Sequence, residues 1–345
     1  MNNEFTHLER RQLRIFALTA FALPYLLGIL MGIAYNTGGD VSVYPNAQMY
    51  YPAAGVMLAM LITRRGDPLL PRRFYGAFLA LTGVMALMAA GSFFFPQVPW
   101  ALVSQLPIVL GSVVCWIFWF LDKKEKRTAY GLRATGEGKR RPWLYVLLFV
   151  ALYLGRIFLP VLLAGGQGLE ELIFAPVIQL ISFLSLPINF FLVFTAFFGE
   201  EYGWRGFLQP LLQKRFGPRK GILLLGVVWG IWHLPINLFF YSPDTWLQSL
   251  VAQQITCISY SIFFGFAYAK TRNIWVPTWI HFLNNNMIAV FASASAIQNQ
   301  VIGWGEVAFS LVTAAVFYGL FFLAPVFRRR EAPLLPLHGE EPQQS

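Results

Sequence analysis

Residues 172–205 read LIFAPVIQLISFLSLPINFFLVFTAFFGEEYGWR, an uncharged run from Leu172 to Phe198 that ends abruptly in two adjacent carboxylates, Glu200 and Glu201. The run is long enough to cross ~30 Å of hydrocarbon as a helix. Charge at the end or in the interior of such a helix is rare and marks a functional site by default, with a partner to be found for it. If the helix continues, Glu201 and Arg205 lie four residues apart on one face, where an ion pair offsets desolvation. That leaves Glu200 free for other work.

Working outward, composition sets the class. With 57% hydrophobic and 12% charged residues over 345 positions, the chain carries about half the charge of a soluble domain and reads as an integral membrane protein. The formal net charge of +10 is gathered in short loops between apolar runs, a topology signal rather than a nucleic-acid footprint. No nucleic-acid partner is expected. Cys115 and Cys257 both fall in apolar runs, too sparse for a disulfide framework or a cysteine metal site. The polar segment Met1–Arg14 precedes a span too long for a cleaved signal peptide.

Apolar runs appear at about 15–34, 45–63, 75–95, 100–121, 143–164, 172–199, 221–241, 246–269, 275–298 and 305–326, so the expected fold is an all-α, polytopic membrane bundle of about ten spans. Loops rich in Lys and Arg alternate without a break with loops that have none: Arg64–Arg73, the stretch 122–142, Lys214–Lys220 and Lys270–Arg272 carry the positive charge. Both termini are therefore expected on the cytoplasmic side. The expected regions are 1–171, with five spans and the basic loop 122–142; a core at 172–300; a last span at 301–330; and a disordered tail at 331–345, rich in Pro, Glu and Gln.

Function then has to live in the membrane. Asp40, Asp67, Asp122 and Asp244 all fall in loops or at span ends, which removes an intramembrane aspartyl pair. No His-Glu-x-x-His or Gly-x-Ser-x-Gly segment occurs. His7 and His338 lie in the termini, whereas His233 and His281 lie inside apolar runs, with Asn237 and Asn285 each four residues further along the same helix face. Pro235 after His233 and Gly203 after the glutamates offer helix breaks that could gather these groups around a cytoplasm-facing cavity.

Two chemistries suit such a set. A carboxylate with a histidine can take a proton from water while a second histidine and an asparagine amide donate to the resulting oxyanion. Alternatively, two imidazoles and a carboxylate can hold a divalent metal such as zinc and leave a position open for water. The residues alone leave both open. Glu201–Arg205 reads as a structural ion pair at a helix end, and Arg156 in the fifth span as a snorkelling or structurally paired residue. The repeated Leu-Pro-Ile-Asn at 186–189 and 234–237 reads as coincidence with helix-kinking consequences.

Glu200-Glu201-x-x-x-Arg205, Trp229-x-x-x-His233 and His281-x-x-x-Asn285 resemble, in this order, the three motifs of the CPBP intramembrane proteases, a family that includes the type II CAAX prenyl endopeptidases and bacteriocin-processing or immunity-type relatives. The resemblance covers about 175–290, and Trp229 departs from the usual Phe. It implies an intramembrane endopeptidase, glutamate- or metal-dependent, acting on a membrane-associated peptide or lipidated protein, in a bacterial plasma membrane. Position by position it implies that Glu200 activates water with help from His233, that His281 and Asn285 stabilise the oxyanion, and that Glu201 and Arg205 hold the helices. The rival readings are a secondary transporter, which broken helices and mid-membrane polar groups would suit, and a catalytically silent immunity or scaffold protein.

Overall fold

The computed structural model describes residues 4–133, 141–292 and 297–328; the expected disordered tail at 331–345 lies outside them. Among the described residues the chain is all-helical. In chain order the main helices are α1 (His7–Asn36), α2 (Val43–Gln48), α3 (Tyr51–Thr63), α4 (Arg72–Phe94), α5 (Trp100–Leu121), α6 (Trp143–Leu163), α7 (Pro176–Phe216), α8 (Pro218–Trp232), α9 (Leu234–Tyr241), α10 (Pro243–Thr271), α11 (Trp275–Phe291) and α12 (Trp304–Phe317).

Each expected apolar run is helical over most of its described residues. Six of these helices are long and apolar enough to cross a membrane, α1, α4, α5, α6, α7 and α10, and the bent pair α8–α9 would make a seventh. The second run is split into α2 and a 13-residue α3 whose Tyr51, Pro52, Ala53, Ala54, Gly55, Val56 and Met57 are all buried. Hydropathy cannot tell a helix that faces lipid from one enclosed by protein, because both are apolar all round. The chain is an integral, multi-pass membrane protein.

The quoted stretch builds the longest helix. Instead of breaking at Gly203, α7 runs on for 41 residues, with only a π-type turn at Trp204–Leu208. At ~1.5 Å per residue that is roughly twice the thickness of a bilayer core, so Glu200 and Glu201 lie inside the helix and not at its end. Gly203 serves close packing: a Cβ there would run into Pro52, and one on Gly199 into the Met49 carbonyl. The two glycines let the α2–α3 junction lie directly against the backbone that carries the glutamates.

The basic loops meet at one end of the bundle. Lys214 pairs with Glu9 at 2.6 Å, the Gln12 amide donates to Thr63, the Tyr130 hydroxyl donates to Asp67 at 2.6 Å, and the Trp275 indole donates to the Leu132 carbonyl. At the opposite end Gln179 donates to the Val290 carbonyl and Ser242 to that of Gln300.

Candidate active site

The bend between α8 and α9 is 43° and falls at His233, with Pro235 just beyond it. A proline ring cannot sit against a continuing helix, and its missing N–H frees carbonyls in the preceding turn. In a membrane interior those carbonyls need protein partners. The Tyr25 hydroxyl donates to the Ile231 carbonyl at 2.6 Å, the buried Gln48 amide to that of Trp232 at 2.8 Å, and the Asn237 amide to that of His233 at 2.9 Å. Thus α1 and α2, which carry none of the motifs, cap the break that sets His233. The same Leu-Pro-Ile-Asn sequence at 186–189 leaves α7 unbroken.

Glu200 Oε2 accepts the indole N–H of Trp229 at 2.7 Å and that of Trp204 at 3.2 Å. Its other oxygen, Oε1, stands 4.0 Å from His281 Nε2. Glu201 Oε1 is shared between Arg205 at 3.1 Å and His281 Nδ1 at 2.7 Å. Because a carboxylate accepts, His281 carries its proton on Nδ1 and turns Nε2 toward Glu200. His233 is fixed in the same way: its Nδ1 lies 2.8 Å from the Trp229 carbonyl and 3.8 Å from Cys257 Sγ, so Nε2 is its unprotonated nitrogen.

Trp229 is the hub of this arrangement. Its ring centroid lies 5.6 Å from that of His281 and 5.9 Å from that of His233, and the Arg205 guanidinium sits 4.3 Å above it. Glu200, His233 and His281 are only 3%, 7% and 5% exposed, so the protein encloses them. Asn285 lies at an exposed edge, where its side-chain oxygen accepts from Asn284 at 2.9 Å. The structure therefore joins Glu201, Arg205 and His281 by direct contacts, sets Glu200 4.0 Å from His281 and His233 across Trp229 from them, and gives Asn285 an asparagine neighbour.

Two features escaped the sequence reading. The indole donors were invisible because tryptophan in an apolar run reads as bulk, although Trp204 four residues after Glu200 shares its helix face. The bond from Glu201 to His281 joins residues 80 apart, for which spacing gives no signal.

Nδ1 of each histidine is engaged and Glu200 Oε2 is held by two indoles, which leaves both Nε2 atoms and Glu200 Oε1 as the free donors. Among the described residues no group of three His, Cys, Asp or Glu side chains is set to hold a metal ion. No step is therefore derived through one.

The comparisons agree with the motifs. Residues 182–287 match the family described as "Type II CAAX prenyl endopeptidase Rce1-like". A curated relative, "CAAX prenyl protease 2" of Methanococcus maripaludis, is 27% identical over 142 residues, 39% of this chain and 52% of that protein. The chain thus spans about half the length of the curated relative it matches. No solved structure matches it.

Proposed function

We propose, from the premise that this chain carries a membrane core of the CPBP family, that it is an intramembrane endopeptidase whose substrate is a membrane-associated peptide with a lipidated C-terminal region. The observation that carries the reading is the pairing of Glu200 Oε1 with His281 Nε2 across 4.0 Å, a separation that one water bridges with hydrogen bonds to both.

In that position Glu200 is the general base. Two indole donors fix its Oε2 and leave Oε1 to take the proton as water attacks a peptide carbonyl. His281, oriented by Glu201, shares the water. Once Glu200 has passed that proton to His281 Nε2, the imidazolium donates its Nε2–H to the oxyanion, with Glu201 as the anion that balances the charge, and the proton then goes to the departing amine. His233 presents Nε2 from the other side of Trp229 and assists proton transfer, and Asn285 supplies an amide donor at the exposed edge where substrate enters. Glu201 and Arg205 position these groups. The lipidated substrate follows from the name of the relative: a C-terminal Cys-a-a-X segment is a prenylation signal. We place the protein in a bacterial plasma membrane with its basic end toward the cytoplasm.

The test is cleavage of prenylated and unprenylated Cys-a-a-X peptides in proteoliposomes, read by mass spectrometry of the products. Glu200→Gln is expected to lose at least about 10³-fold in rate, a general-base contribution combined with lost water positioning. A Glu200→Gln protein that cleaves at the parent rate would overturn the mechanism, and solute uptake without cleavage would revive the transporter.

A further inference from the structure

Arg156 is a charge in the middle of a membrane helix with no counter-ion among the described residues. It lies in α6, about thirteen residues from the Trp143 end and partly exposed. None of the ion pairs among the described residues involves it. Phe149, seven residues earlier on the same face of α6, meets the rings of Tyr153, Tyr260 and Tyr318, which turns that face, and Arg156 with it, toward these tyrosines. The rings of Tyr260 and Tyr318 meet edge to face at 4.9 Å, and the Tyr260 hydroxyl donates to Asn284 at 2.6 Å, which in turn donates to Asn285. A polar path therefore runs from the tyrosines on this side of α6 to the edge of α11. Intramembrane arginine is costly and is retained where an anion or a water-lined cavity meets it.

We infer that Arg156, with the tyrosine cluster beside it, is the receptor for the C-terminal carboxylate of the peptide substrate. The fork of a guanidinium matches a carboxylate in a two-bond, charge-assisted contact, and the buried Tyr318 hydroxyl, which makes no other hydrogen bond among the described residues, adds a donor. Position supports the peptide as the source. The Phe158 ring meets the Phe291 ring, which sets Arg156 roughly 10 Å further along the parallel axis of α11 than His281. Three extended residues span about the same distance. A bond cut downstream of the cysteine in a Cys-a-a-X segment lies at most three residues from that carboxylate. At this depth a lipid phosphate would have to leave its interface. The inference rests on the endopeptidase reading for the identity of the peptide.

One peptide made as the free acid and as the C-terminal amide, carrying a fluorophore, separates the possibilities. In neutral phosphatidylcholine vesicles, Glu200→Gln protein that retains Arg156 is expected to bind the acid about tenfold or more tightly than the amide, read by anisotropy. The KM values of the unaltered protein should follow the same ratio. Adding Arg156→Gln should bring the ratio close to one, while Arg156→Lys should keep part of it. Equal binding of acid and amide in the presence of Arg156 overturns the proposal, as does a ratio that survives Arg156→Gln. A preference seen only in vesicles of anionic lipid also overturns it and assigns the arginine to headgroups. Preferential acid binding without any cleavage by the unaltered protein would keep the carboxylate site and sink the endopeptidase. If Arg156→Gln fails to insert, the acid and amide comparison on protein with Arg156 still decides.

Discussion

At the scale of single residues, the two adjacent glutamates make different contacts, and these say how to tell their proposed roles apart. Glu200→Gln keeps a side-chain oxygen for the indoles of Trp204 and Trp229, so it should lose hydrolysis while the thermal transition stays close to the parent's. Glu201→Ala strips the partner from Arg205, which is fully buried, and an uncompensated buried charge costs ~3–5 kcal/mol. That variant should lose both activity and several degrees in a fluorescence melting assay; an unchanged melt would show that the ion pair is not structural. Trp229→Phe removes the 2.7 Å donor from Glu200 while keeping ring bulk. The indole fixes the orientation of Glu200, and a misplaced base costs up to ~10²-fold in rate, so kcat should fall. A kcat within a factor of two of the parent would remove the indole from the mechanism.

At the scale of elements, the contact of α3 with α7 and the bend at His233 are the points where small changes act at a distance. A methyl group on Gly203 meets Pro52, and overpacking of this kind typically costs ~1–3 kcal/mol. Gly203→Ala should lower the melting temperature and, by moving α7, the activity; a silent Gly203→Ala would mean that the helices part freely. Gln48 is 184 residues from Trp232 yet caps its carbonyl. Gln48→Leu should therefore weaken hydrolysis although it touches no motif residue, because an unsatisfied carbonyl in an apolar interior costs ~1–3 kcal/mol and the bend that sets His233 loses its support. Parent-level turnover by Gln48→Leu would show that Tyr25 and Asn237 hold the bend alone.

At the scale of the molecule, contacts such as Lys214–Glu9 and Tyr130–Asp67 gather the positively charged loops at one end. Single cysteines introduced at Arg65, Lys124 and Arg215 should all react with an impermeant thiol reagent from the same side of a sealed vesicle, and one at Gln300 from the other. Labelling of Arg65 and Arg215 positions from opposite sides would break the alternation on which the topology rests.

Membrane class and helical fold were legible in the chain alone, since charge is too scarce for a soluble domain and each apolar run is helical over most of its described residues. So was the set of groups near the site, because ionisable side chains in hydrocarbon are few and costly enough to stand out. Which apolar helices are enclosed was not legible: α3 and the N-terminal part of α7 are both apolar and uncharged, and only packing decides which faces lipid. The continuation of α7 through Gly203 was hidden for a related reason, as glycine serves a helix break and a close helix contact equally well. The sequence also had no means of showing that Glu201 reaches His281 or that Gln48 caps Trp232, because hydrogen bonds between residues far apart in the chain exist only once the helices are assembled.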